Sequence, residues 1–162
     1  MVDFEYKFAK QTGGRGKFAV IVVKFSPLTP EQVEDKIREI EELKDPKIKP
    51  DPNNIYFVNS ITQGAIPKEF IPSVEEGLRE AAKKGYKYPF PFVDLEFDLH
   101  FGKMHDVDSS QDAFYLCARE AFREAQEKAG IQLLEPIMKV VVVSPKDYQG
   151  QITGNISSKR GL

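Results

Sequence analysis

Phe4, Tyr6 and Phe8 alternate with Glu5, Lys7 and Ala9. That period of two marks a strand with one buried face. Phe18 to Phe25 is a nearly continuous apolar run, the pattern of a well-buried strand. Between them lies Gln11-Thr12-Gly13-Gly14-Arg15-Gly16-Lys17, so the two strands read as a hairpin around a glycine-rich loop. The period then changes. Thr29-Pro30-Glu31-Gln32 is a helix start with a capping box, and Val33, Ile37, Ile40 and Leu43 follow on one face, with Glu34 and Arg38 as an i,i+4 pair. Asp45-Pro46 ends this helix, Pro46, Pro50 and Pro52 mark a stiff connection, and Ile55 to Val58 is a short strand.

Pro72 opens a second helix with Val74, Leu78 and Ala81 inward. Glu75 and Glu76 sit in its first turn, Lys83 and Lys84 in its last, and Gly85 follows, all placements that suit the helix dipole. Val93, Leu95, Phe97 and Leu99 alternate with Asp94, Glu96 and Asp98, a strand with one wet, acidic face. A loop from His100 to Asp108 leads to a third helix capped by Ser109 or Ser110. Its apolar stripe is Phe114, Cys117, Ala118, Ala121, Phe122 and Ala125, and Gly130 stops it. Ile137 to Val143 reads as another strand, and Ser144-Pro145-Lys146-Asp147 as the cap of a last helix with Tyr148 and Ile152 inward. One strand and one helix cannot close a core. The pattern therefore gives an α/β domain over residues 1–134 and the opening of a second domain over 135–162.

Composition narrows the class. The 162 residues are 41% hydrophobic and 30% charged, which is globular rather than disordered. The net charge of −2 argues against a dedicated nucleic-acid binder, so RNA contact has to come from local basic loops. The single cysteine, Cys117, allows no intramolecular disulfide and fits a reducing compartment. No apolar run approaches a membrane span, and Met1-Val2-Asp3-Phe4 has no secretory character, so a cytoplasmic protein is expected.

Two loops carry candidate chemistry. From Lys7 to Lys17 there are four basic residues, Lys7, Lys10, Arg15 and Lys17, and no acidic one. Three glycines let the backbone approach a phosphate closely. The loop is not a nucleotide P-loop, because Phe18 follows Gly16-Lys17 and a strand follows instead of a helix. It reads as a mobile hairpin tip or as a phosphate-backbone contact. The second loop, His100-Phe101-Gly102-Lys103-Met104-His105-Asp106-Val107-Asp108, has two histidines and two aspartates. A metal site is conceivable there, but Asp106 and Asp108 also suit the start of the third helix. Cys117 lies on an apolar stripe and reads as core, not as the nucleophile of a Cys117–His105 pair. Tyr86, Tyr88, Phe90 and Phe92, interleaved with Pro89 and Pro91, read as a packed loop or as a base-stacking surface.

Several strings resemble one family. Lys10-Gln11-Thr12-Gly13-Gly14-Arg15-Gly16-Lys17-Phe18 resembles the first tip loop of elongation factor G domain IV. Gly64-Ala65-Ile66-Pro67-Lys68-Glu69-Phe70-Ile71-Pro72, followed by Val74-Glu75-Glu76-Gly77, looks like the start of its central helix. His105-Asp106-Val107-Asp108-Ser109-Ser110 is similar to its second tip loop, and Leu134 to Met138 through Tyr148-Gln149-Gly150 to the passage into domain V. These strings run in order along almost the whole chain.

The resemblance implies a ribosomal protein S5 domain 2-like α/β fold with a left-handed βαβ crossover, followed by the first strand and helix of a ferredoxin-like domain V. It implies that the two loops meet at a distal tip. That tip enters the decoding region of the small ribosomal subunit and contacts rRNA, tRNA and mRNA during GTP-dependent translocation. The residues it assigns to the tip are Gln11, Thr12, Gly13, Gly14, Arg15, Gly16, Lys17, Gly102, Lys103, His105 and Asp106. It implies no catalytic residue and no metal in this chain, with GTP and Mg2+ held by a G domain elsewhere in a monomeric parent. A paralogue acting in ribosome recycling or protection is the alternative, and a metal-dependent enzyme a more distant one. The chain departs from the family pattern in the helix inserted between the second and third strands, about residues 30–44, and in His100-Phe101-Gly102-Lys103-Met104. It departs again after Tyr148.

Overall fold

Val2–Lys10 and Lys17–Pro27 form strands β1 and β2, paired antiparallel with Lys10 opposite Lys17, as a hairpin requires. Pro30–Glu42 is helix α1, Ile55–Asn59 strand β3, Ile71–Lys84 helix α2, Leu95–Lys103 strand β4 and Gln111–Ala129 helix α3. The computed structural model describes residues 2–10, 16–42, 51–62 and 64–161. These divide into two units, residues 1–131 and 132–162.

In the first unit the four strands make one mixed sheet in the order β1-β2-β4-β3. β4 pairs antiparallel with β2 and parallel with β3, and α2 joins the parallel pair. This is the expected mixed α/β architecture. One face of the sheet is covered by α2 and α3. Phe4, Phe8, Ile21, Val23, Phe25, Phe97 and Leu99 from the strands pack with Val74 and Leu78 of α2 and with the whole predicted stripe of α3. Phe122 is the centre of an aromatic cluster, within 5.0–5.5 Å (ring centroids) of Phe25, Phe92 and Phe97. Gly77 lets α2 and α3 approach, since a Cβ there would stand 2.5 Å from the Tyr115 carbonyl oxygen.

The helix α1 has the expected capping box. The Thr29 amide donates to Gln32 Oε1 at 2.9 Å, and the Gln32 amide to Thr29 Oγ1 at 3.3 Å. Val33 is its buried residue, and Lys36 pairs with Glu96 of β4 at 2.5 Å. Arg38 meets Asp35 at 3.4 Å rather than the expected Glu34. Leu43 lies outside the described residues. The helix α2 begins one residue before Pro72, so Glu75 falls beyond the first turn and binds Arg79 at 2.8 Å.

The largest correction in this unit concerns β4. The strand starts at Leu95, two residues later than the alternation suggests, because Asp94 takes a φ of +53° and Val93 is exposed. It continues through His100, Phe101, Gly102 and Lys103, which the sequence pattern assigns to a loop. The register slips between Val22 and Val23, where Phe101 and Leu99 are the partners, leaving His100 as an extra residue. A bulge of this kind puts two neighbours on one face. The alternation therefore breaks at His100–Phe101 and resumes with Gly102 buried.

The second unit is Gln132 to Leu162. Ile137 to Val143, expected as a strand, forms none, and its apolar side chains are exposed, Ile137 fully at 101%. A strand needs a ladder partner, and no other strand occurs among the described residues of this unit. A single 3-10 turn, Lys146–Tyr148, leads into helix α4, Gln149–Ser158. Ser144 does not cap this helix, and Tyr148, expected inward, is exposed. Arg160 holds Glu135 in a two-pronged ion pair at 2.8 and 3.0 Å.

Candidate nucleic-acid interface

The hairpin β1–β2 and the C-terminal end of β4 point their connections to the same end of the sheet, since Lys10 pairs with Lys17 and Lys103 with Val20. There the segment after β4 closes on the start of β2. The Phe18 amide donates to the Asp108 carbonyl at 2.8 Å, and Ser109 Oγ donates to the Phe18 carbonyl at 2.7 Å. The His105 amide donates to Ser109 Oγ at 2.8 Å, and the Ser109 amide returns to the His105 carbonyl at 3.0 Å. Ser109 and the Asp108 carbonyl together fix the second loop to the first hairpin, while Ser110 caps α3 by accepting from the Ala113 amide at 3.2 Å.

His105 sits on this frame with an exposed ring. The Val107 amide donates to Nδ1 at 3.4 Å, and Nε2 faces away from this contact on the ring. Asp108 Oδ2 is 3.6 Å from the same Nδ1, and the Phe18 ring lies edge-on at 6.1 Å. Gly16 is packed against Asp108 so closely that a Cβ would meet its Oδ1 at 2.7 Å. Lys17 reaches Asp112 in the first turn of α3 at 2.6 Å, and Lys7 lies over the Phe18 ring at 5.7 Å. Lys103 and Asp106 are exposed.

The structure thus brings together Gly16, Lys17, His105 and Asp106, with Lys103 on the adjoining strand end. Gln11, Thr12, Gly13, Gly14 and Arg15 lie outside the described residues. Gly102 is placed differently from the expectation. It is not at a loop turn but buried in β4, where a Cβ would stand 2.5 Å from the Val20 carbonyl oxygen and would also strike Ile66. Its lack of a side chain serves packing. Phe18 and Ser109 organise the site, although sequence reasoning does not single them out as site residues. Their signal lies in the Ser109-Ser110 pair, of which only one can cap the helix.

The other candidate groups are dispersed. His100 Nε2 lies 3.5 Å from Asp3 Oδ1, while His105 sits with Asp108. Among the described residues no three His, Cys, Asp or Glu side chains are grouped to hold a metal ion. Cys117 is fully buried, 3.5 Å from the Ala19 carbonyl, and burial pushes its thiol up to about 12. That is a core residue, as the apolar stripe indicates. Of the four aromatics at 86–92, Phe92 packs on Phe122, whereas Tyr86, Tyr88 and Phe90 are exposed. No helix among the described residues is long and apolar enough to cross a membrane.

A mixed sheet backed by two helices, with two loops tied together at one end, defines an α/β module that presents loops. Residues 44–130, more than half of the chain, match the family Elongation factor G, domain IV, and the chain belongs to that family. That family supports an elongation-factor-like role in translation. The match includes the second loop with His105, while β1, β2 and α1 precede it. The chain is also similar to a protein of Thermus thermophilus known from a crystal structure, with 30% identity and a TM-score of 0.57. That similarity covers 75% of this chain but 15% of the other, so the chain spans a small part of that protein's length.

Proposed function

We propose that this domain is the ribosome-contacting tip of an elongation factor G-like translocase, acting by entering the small subunit's decoding region rather than by catalysis of its own. The observation that supports this reading most directly is the tie between the two loops, in which Ser109 binds both Phe18 and His105. It holds an exposed imidazole and a basic, glycine-containing hairpin side by side, on a rigid sheet. Backbone N–H groups and lysines there suit phosphates, and His105 Nε2 suits a ribose hydroxyl or a base edge. In this reading the tip meets rRNA, tRNA and mRNA as tRNA and mRNA advance. GTP and Mg2+ belong to a G domain elsewhere in a cytoplasmic, monomeric parent. Residues 135–162 resemble the opening of domain V, in which the exposed Ile137–Val143 run would need a partner strand to pair.

The test is single-round translocation by the full-length parent with and without His105→Ala. The expected result is slower tRNA–mRNA movement with GTP hydrolysis retained. Equal loss of both activities would contradict the tip role. A parent that hydrolyses GTP on the ribosome but moves tRNA poorly would point to a recycling or protection factor. The feature that supports this second reading is the His100–Met104 segment, whose sequence departs from the family pattern and which carries a bulge at His100.

A further inference from the structure

The chain carries a net charge of −2, yet one cleft on it is basic. It lies between β1 and α3, has a volume of about 540 Å³, and is lined by Lys10, Lys17, Arg119 and Arg123 with Tyr6 and Phe8. Glu120 also lines it, bonded to Arg123 at 3.0 Å, and Glu124 is close enough to affect the Tyr6 hydroxyl. Glu120 also meets Arg119 at 3.7 Å, and Asp112 pairs with Lys17, so four cations stand against two carboxylates and an excess of two positive charges is left. The cleft starts at the tip, because Lys17 is tied to Asp112 at the beginning of α3.

We propose that this cleft is a second RNA contact, holding the sugar–phosphate backbone of one strand along the flank of the domain as it leaves the tip. The proposal rests on the reading of the tip as an RNA-facing end, and gives that reading a path. Spacing supports it. Arg119 and Arg123 are four residues apart, about 6 Å along the helix axis, the scale on which successive phosphates of a strand are set. From Asp112, where Lys17 is held, to Arg123 the track is about 16 Å long. Chemistry supports it too. Guanidinium groups take phosphates two oxygens at a time, and Lys10 and Lys17 add point charges. The Arg123 guanidinium is further placed by the Tyr86 ring, 5.2 Å from its carbon. Both arginines are half-exposed, so a ligand can reach them without unfolding the core.

The experiment is fluorescence anisotropy of the full 162-residue chain with a short labelled RNA hairpin, over a salt series. Removing one phosphate–cation pair lowers the log–log salt slope by about 0.7–0.9. The variant Arg119→Gln/Arg123→Gln should lower that slope by about one to two units and weaken binding at low salt about tenfold or more. Arg119→Lys/Arg123→Lys should restore most of the slope, since charge is kept. Equal urea midpoints for both variants exclude a folding effect, and a misfolded glutamine pair leaves single Arg119→Gln to give about half the change. An unchanged slope in the glutamine variants, or no RNA binding by the unmodified chain, overturns the proposal. Displacement of the RNA by polyglutamate at equal charge concentration also overturns it, in favour of an acidic protein partner. Loss of binding in His105→Ala with no effect of the arginine pair would overturn the cleft alone and leave the tip reading standing.

Discussion

Ser109 and Phe18, ninety-one positions apart in the chain, are joined by a 2.7 Å hydrogen bond from the serine hydroxyl to the phenylalanine carbonyl. The same hydroxyl accepts from the His105 amide. One small side chain thus joins the two loops, beside the backbone bond from the Phe18 amide to the Asp108 carbonyl. Ser109→Ala removes both bonds and is expected to cost about 1–3 kcal/mol. Urea unfolding measures that loss, and hydrogen exchange at the His105 amide should accelerate more than exchange in the sheet. Equal exchange rates in the variant and the parent chain would show that the loop is held by something else.

Gly102 is predicted to be intolerant of any side chain. Gly102→Ala places a methyl against the Val20 carbonyl and Ile66, and overpacking of this kind costs about 1–3 kcal/mol. Trimming the neighbour, as in Gly102→Ala/Ile66→Val, should recover only part of that, because the carbonyl cannot move out of the ladder. Full recovery in thermal unfolding would mean that the backbone contact is not limiting.

Most of the framework is legible in the sequence because most of it is periodic. The alternation at Phe4–Phe8 and the α3 stripe from Phe114 to Ala125 need only burial to be read, and both are in the core. The capping box of α1 is local chemistry and is also there. What escapes is non-local. The extension of β4 through Lys103 depends on a bulge, and a bulge is set by the partner strand rather than by the residues that carry it. Gly102 looks like a loop glycine because it follows the alternating run and lies among His100, Lys103 and His105; the Val20 carbonyl and Ile66, eighty-two and thirty-six positions away, show why it is small. The run Ile137–Val143 has strand composition, but composition does not supply a partner. The site is readable as two loops; the Ser109 tie between them is not.

Cys117 gives a prediction with a sign. Its thiol is raised from an ordinary value of 9.0 to about 12 by burial, so the folded state holds the proton more tightly than the unfolded state. Its contribution to stability is complete below about pH 9 and is lost as pH rises toward 12. Cys117→Ala should therefore show a shallower fall in urea stability over that alkaline range. A thiol reagent should react with the native chain only as fast as it unfolds. Rapid modification at pH 8 would contradict the burial.

The helix α1 touches the rest of the domain lightly, through Val33 and the Lys36–Glu96 pair. Thr29→Ala removes the side-chain half of its capping box, at about 0.5–2 kcal/mol. The loss should appear as faster amide exchange within α1, with little change in the global unfolding midpoint. A matching drop in the midpoint would show that α1 unfolds together with the sheet.

The central claim concerns where the paired loops go. Asp106 is exposed in the second loop, and Cys117 is buried and unreactive, so Asp106→Cys accepts a tethered iron chelate in a full-length parent freed of other exposed cysteines. Hydroxyl radicals from that site on the ribosome should cleave rRNA of the small-subunit decoding region, next to the loop. Cleavage confined to other rRNA, with none in the decoding region, would contradict the account.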